Sequence, residues 1–381
     1  MKRSLIHRRF TRTAALLAAG LLALSACGSD DSGSSATVNE DEASASAAAA
    51  QKIVDEALKT PTSIVQDAPL GAAVPSGKKV VFLANAVSAT IVIANGVEEA
   101  TKAIGWDFEK VTYDIANPAT LQSAMTTALQ MKPDAVMVTG AAQSLFAKSV
   151  LEDYEEAGVP IVLGGSCPVE ATGPVVAGPA ECDGEAAVGR LVANWFIADS
   201  GGKGKALYAN VTAYPAYVAY GDAFLAEVEE KCPGCSVKKI ELTAAQVAEN
   251  QVVPTAVNAL RASPELKYAI FDNAAFVKGI EPALRAAGLT DIKVGGRQLD
   301  EGVLGALVKG DKGAWTASGY PLLGYGMVDA ALRAILGTDG FEGNFIAPLQ
   351  LVTAANAAEV EAPYNEPTDG LQQYLDLWKA Q

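Results

Sequence analysis

From residue 78 to 165 the chain alternates short β-branched runs with helical patterns, a periodicity that permits very few architectures. Lys79–Ala84 (KVVFLA) reads as a buried strand, followed by a helix over 89–104 and a second strand over 110–114 (KVTYD). Asn117-Pro118 then opens a helix as cap and first-turn proline. Residues 134–139 (DAVMVT) and 160–164 (PIVLG) supply two more strands, with a helix over 143–157 between them. Buried strands separated by helices of this length pair in parallel, with helices covering both faces of the sheet. In such sheets a ligand sits beyond the carboxyl ends of the strands, against helix N-termini. Those ends are the small or polar loops 85–88, 115–117, 140–144 and 164–166.

The alternation resumes at residue 184. Helices are predicted over 184–199, 217–231, 246–262, 275–287, 301–308 and 323–336, and strands over 205–210, 237–240, 267–271, 292–294 and 314–316. No G-x-G-x-x-G follows a strand, and no His/Cys spacing suits a metal, so neither cofactor nor metal is expected. The α/β pattern therefore predicts two doubly wound parallel-sheet lobes facing each other across a cleft.

The sole histidine is His7. Everything after the leader lacks an imidazole for general-base catalysis, a Ser-His-Asp arrangement or a His-ligated metal. The formal charge of the chain is −15. Lys2, Arg3, Arg8, Arg9 and Arg12 sit in the leader, so the remainder is more acidic still, a poor match for nucleic acid.

Residues 1–26 read as a secretory signal: a basic start, an apolar run over 14–24 too short to span a bilayer, and small residues before a cut. Leu24-Ser25-Ala26-Cys27 resembles the lipobox of bacterial lipoproteins, in which the cysteine is diacylated and becomes the mature N-terminus. Residues 27–77 are read as a disordered tether, polar and small through residue 50, with a short helix over 52–58.

Four local patterns occur in an ordered series: Gly96-Val97-Glu98-Glu99-Ala100, the stretch 148–160 (KSVLEDYEEAGVP), Tyr220-Gly221-Asp222-Ala223-Phe224, and Phe271-Asp272-Asn273 followed by Val294-Gly295-Gly296. With the order of elements, they make residues 78–352 resemble the type I periplasmic solute-binding proteins related to ribose-binding protein, which share their lobes with LacI-type regulators. The resemblance implies three crossovers at a hinge. Lobe 1 would comprise 78–165 plus 321–350, and lobe 2 would comprise 166–320 plus 351–381. It also implies ligand capture by hinge closure and a membrane ABC permease as partner, with a sugar as the default ligand.

Sugar-binding members stack aromatics on the ring after the first strand, and here that loop offers Asn85, Ser88 and Thr90 instead. Asp114, Gln143, Ser144 and Ser166 end the next three strands. In lobe 2, Tyr214 and Tyr217 crowd one loop, and Asn273 matches the family's asparagine. Arg297, followed by Gln298, stands where the family often has aspartate, and Tyr320 falls near its last polar pocket residue. Tyrosines around an arginine suit a flat or apolar ligand carrying a negative group, so an aromatic or hydrophobic acid is the second choice. The competing role for Arg297 is an inter-lobe salt bridge.

Export places Cys167, Cys182, Cys232 and Cys235 where disulfides form. Of the three connectivities, Cys167–Cys182, closing a Pro/Gly-rich loop, with Cys232–Cys235 is favoured. Cys232-Pro233-Gly234-Cys235 follows a helix, whereas redox thiolates gain from a helix N-terminus, so it reads as a structural staple. The whole reads as a monomeric, lipid-anchored, extracytoplasmic solute-binding protein of an ABC importer. The alternatives are a ligand-sensing receptor subunit for a membrane kinase or chemoreceptor, and a secreted α/β enzyme.

Overall fold

The computed structural model describes residues 39–115, 117–180, 182–338 and 348–379. The leader and Cys27 lie outside them. The first element, α1 (Glu40–Ala57), starts where Asn39 Oδ1 accepts from Asp41 N–H at 3.1 Å, with Glu40, Asp41 and Glu42 in the first turn. Carboxylates there complement the helix dipole. Most of α1 falls in the stretch read as a flexible tether, and that reading is corrected. Composition hid a run of strong helix formers whose buried side chains, Ala43, Ala50 and Val54, form one stripe.

Lobe 1 follows as β1 (Lys79–Ala84), α2 (Ser88–Ala103), β2 (Asp107–Thr112), α3 (Pro118–Gln130), β3 (Ala135–Thr139), α4 (Lys148–Ala157), β4 (Ile161–Gly164) and β5 (Val175–Ala177). Its sheet runs β2-β1-β3-β4-β5, with every pair parallel. β1, β3 and β4 bury nearly every side chain, as strands covered on both faces must. β2 starts at residue 107 rather than 110, because its edge position leaves a mostly exposed DFEKVT pattern with little apolar signal. The helix expected over 143–157 is a 3₁₀ turn, Gln143–Leu145, followed by α4.

Lobe 2 contains α5 (Cys182–Asp199), β6 (Lys205–Val211), α6 (Pro215–Lys231), β7 (Ser236–Leu242), α7 (Ala244–Ala248), α8 (Val252–Arg261), β8 (Tyr268–Phe271), α9 (Ile280–Ala286), β9 (Lys293–Gly296), α10 (Glu301–Val308) and β10 (Ala314–Ser318). Two expected helices are divided. The 246–262 helix breaks at Asn250, which takes φ +56°, and the 275–287 helix breaks at Gly279, at φ +83°. The chain then forms α11 (Tyr320–Leu336), β11 (Leu349–Thr353) and α12 (Gly370–Lys379). The sheet order is β11-β10-β9-β8-β6-β7, parallel except for the β10–β11 pair.

α11 belongs to lobe 1, where it crosses α2 at very close range. A Cβ on Gly96 would stand 2.5 Å from Pro321 O, and one on Gly324 would stand 2.5 Å from Ile93 O. β11 returns to lobe 2, but α12 does not stay there. Tyr374 and Trp378 are buried in the core of lobe 1 with Val80, Phe82 and Leu332. The boundary reading that put 351–381 wholly in lobe 2, and ended the first part of lobe 1 at residue 165, is therefore corrected at both α12 and β5.

The N-terminal segment also joins the lobes. α1 packs on α5, with Ala50 and Val54 buried among Val188, Val192 and Phe196. Gln350 Nε2 and Asn356 Nδ2 donate to Leu58 O from lobe 2, at 3.0 and 2.9 Å. The chain then runs along lobe 1, where Arg333 Nη2 donates to Ala68 O at 2.5 Å and Leu70 N–H donates to Leu377 O at 3.1 Å. Buried Asp329 draws this corner together, accepting from Gln66, Arg333 and Trp378 at 2.8, 2.9 and 2.8 Å. Among the described residues, links at 58–64 and 354–369 thus cross between the lobes in addition to that at Gly319.

Candidate ligand-binding cleft

The carboxyl ends of the central strands of both sheets meet the hinge, and the polar residues there come from separate elements. Cys182 starts α5 and pairs with Cys167, which follows β4; the second disulfide is Cys232–Cys235. Both pairings are the favoured ones. The first ties the start of α5 to the end of the lobe 1 sheet. One turn on, Glu185 is buried at 3% exposure. Its carboxylate takes both arms of Arg297, accepting from Nε at 2.6 Å and from Nη2 at 2.5 Å. The bidentate fork is the strong geometry for this pair. Burial works against the Arg297 charge, but the Glu185 carboxylate outweighs it and holds the guanidinium above its usual range.

Arg297 also lies 5.3 Å from the centre of the Tyr217 ring. Tyr217 meets Tyr214 and Phe276 edge to face, at 5.2 and 5.8 Å, and accepts from Asn273 Nδ2 at 3.3 Å. Gln298 takes φ +61°, and its amide oxygen accepts from Ser318 Oγ at 3.2 Å. Tyr320, half-buried at the start of α11, joins Glu185, Arg297, Gln298 and Ser318 around a narrow recess between the lobes. Thus Tyr217, Asn273, Arg297, Gln298 and Tyr320 come together, with Tyr214 at their exposed edge. The salt bridge suggested for Arg297 exists, but within lobe 2 rather than between lobes.

In lobe 1 the expected residues are spread more widely. Asn85 is buried, donating to Tyr113 Oη at 2.8 Å and accepting from Val87 N–H at 3.0 Å. Thr90 is buried in α2, and Ser166 is buried and donates to Ala141 O at 2.6 Å. Gln143 brackets Glu170, donating to its carbonyl at 2.8 Å and accepting from its N–H at 2.7 Å. Ser88, Asp114 and Ser144 remain exposed at the strand ends.

Two acidic residues at the site escaped the sequence reading. Glu185 sat inside a helix pattern with nothing to mark it. Asp272 stands within Phe271-Asp272-Asn273, where nothing local distinguishes it from an exposed loop carboxylate. It is fully buried and accepts from Tyr208 Oη at 2.6 Å, Val211 N–H at 2.5 Å and Asn210 Nδ2 at 3.2 Å. It thereby ties the carboxyl ends of β6 and β8. Burial lifts its carboxyl to about 6, against the downward pull of those hydrogen bonds. A separate cavity of about 900 Å³ lies between α9 and α10 over Trp315 and Val294, and none of the expected ligand contacts lines it. Among the described residues no group of His, Cys, Asp and Glu could hold a metal ion, and no helix is long and apolar enough to cross a membrane.

Two doubly wound lobes with polar groups from both converging at a multi-stranded hinge define a bilobal ligand-binding protein. Residues 80–339 match the periplasmic binding protein domain family, and the chain belongs to that family. No curated protein matches it in sequence. Its fold is that of the type I, ribose-binding/LacI-like members. The ribose ABC transporter protein of Conexibacter woesei is 20% identical, with a TM-score of 0.64 over 76% of this chain and 96% of that one. An ABC sugar transporter subunit from Rhodobacter sphaeroides is 20% identical, with a TM-score of 0.61 over 73% and 99%. A Thermotoga lettingae solute-binding protein in complex with 5-methylthioribose is 16% identical, with a TM-score of 0.63 over 82% and 96%.

Proposed function

We propose that this protein is the extracytoplasmic receptor of an ABC importer, lipid-anchored through Cys27, and that its ligand is neutral and polyhydroxylated, as a sugar is. The Glu185–Arg297 pair carries the choice of ligand. A free arginine at that position favours an acid. Here both arms of the guanidinium that face Glu185 are already satisfied, and an incoming carboxylate would meet a like charge in a poorly solvated corner. A hydroxyl can instead accept from the remaining guanidinium hydrogens and donate to a carboxylate oxygen, as it can with the amides of Asn273 and Gln298. Hinge closure then needs only that the ligand bind the closed form better than the open one. Structural neighbours that are ABC sugar-transport proteins support the importer role, and the absence of histidine after His7 supports binding without catalysis.

The test is thermal unfolding of the full chain with neutral monosaccharides and, separately, with aromatic carboxylates. A ligand that binds only the native state at a hundred times its dissociation constant adds about 2.7 kcal/mol of stability. A shift with sugars alone is the expected result. A shift with carboxylates alone sinks the reading. For the anchor, Cys27→Ala is expected to move the protein from the membrane fraction to the soluble one.

A further inference from the structure

The exposed apolar side chains of this protein are not scattered. Eight large ones stand out among the described residues, and five of them lie beyond strand carboxyl ends on the cleft side: Val87, Ile91, Ile115, Leu145 and Tyr214. Single exposed apolar residues are ordinary, so it is the clustering that calls for a cause. Val87 caps α2, and Ile91 N–H donates to its carbonyl, which places the two on one helix face after β1. Ile115 follows β2, and Leu145 follows β3 in the 3₁₀ turn. Because β2, β1 and β3 are adjacent in the sheet, these loops are neighbours. Tyr214 stands at the corresponding end of β6 in lobe 2, edge to face with Tyr217. The lobe 1 loops 85–91, 113–117 and 140–147 hold one charged residue between them, Asp114.

We infer that the cleft has a second, apolar subsite, and that the ligand is a neutral sugar bearing an apolar substituent. The sugar ring is held at the Arg297–Asn273 corner, and the substituent lies between the aliphatic edge of lobe 1 and Tyr214. This rests on the cleft being the ligand site. Within it, the patch fits a ligand group better than a docked protein, since Val87 N–H donates to the buried Asn85 Oδ1 at 3.0 Å, which joins the patch to the polar turn ending β1. Closing the lobes on an apolar group removes both surfaces from water at once.

The experiment measures affinities of the full chain for matched pairs by calorimetry: D-glucose against phenyl β-D-glucopyranoside, D-galactose against phenyl β-D-galactopyranoside, and D-ribose against a 5-alkylthio-ribose. At least one substituted member is expected to bind about tenfold or more tighter than its parent, the gain from burying an aromatic or alkyl group. Ile91→Gln combined with Leu145→Gln, both at exposed positions, is expected to bring that ratio near one while keeping a cooperative melt. Equal affinity within every pair overturns the subsite and leaves the sugar reading standing. A preference untouched by the double variant overturns the assignment to this patch, and points to protein docking as its use. If no sugar of either kind binds, the neutral-sugar reading fails and the subsite fails with it.

Discussion

Glu185 and Arg297, 112 positions apart in the chain, form a bidentate pair at the hinge in which the carboxylate is 4% and the guanidinium side chain 14% exposed. Removing one partner strands a buried charge, whereas removing both does not. Glu185→Ala alone is expected to cost about 3–5 kcal/mol of unfolding free energy. Glu185→Leu with Arg297→Met should cost far less. Urea unfolding of the wild type, Glu185→Leu, Arg297→Met and the double variant measures the coupling, and a double loss equal to the sum of the two single losses would show that the pair is not interacting.

Asp272 sets a pH dependence of unusual sign. In the native protein it takes up its proton near pH 6, against 3.8 as the ordinary value. Between those values the folded state holds more protons than the unfolded one, so this group's contribution to stability falls as pH rises, until it levels off above about 6. Relative to Asp272→Asn, the wild type is expected to gain about 2 kcal/mol on going from pH 7.5 to 4.5. Denaturant melts of both proteins at the two pH values give the difference. A flat difference would mean that the native carboxyl titrates in the ordinary range.

The two disulfides differ in how much chain they close. Cys167–Cys182 spans 15 positions and Cys232–Cys235 spans 3. On loop-closure entropy, losing the first through Cys167→Ser/Cys182→Ser is expected to cost about 3 kcal/mol, and losing the second about 2 kcal/mol. The first should also loosen the start of α5, weakening ligand binding as well as stability. Chemical unfolding and calorimetry on each double variant read both effects.

The docked α1 should behave as part of the core. Amide exchange over residues 46–57 is expected to be slow, comparable with α5, and Val54→Asp should destabilise the native state by about 2–4 kcal/mol through an unpaired buried charge. Rapid exchange along the whole of α1 in the wild type would show that it does not stay on lobe 2.

Much of this architecture was legible in the chain because burial on both faces writes itself as β-branched runs. KVVFLA and PIVLG could only be central strands of a parallel sheet, and the intervening lengths left room for one helix each. Edge strands carry less signal, so the periodicity starts β2 three residues late and gives no sign of β5 or β11. The short turns after β3 and β8 were read as helix because their apolar spacing continues into the helices that follow. Alanine defeated the reading of residues 40–50, since it favours helix without advertising which face is buried.

Sequence alone determined two α/β lobes, a property of local periodicity, and it favoured one of three pairings of the four cysteines, which the structure contains. Tertiary structure alone decided what Arg297 does, where α12 packs and how Asp272 ties two strands. Those depend on partners from distant segments, and the energy of a buried charge or polar group is set by whichever group the fold brings within about 3 Å. The Glu185–Arg297 pair, on which the proposed neutral ligand rests, comes from that proximity and not from the residue types themselves.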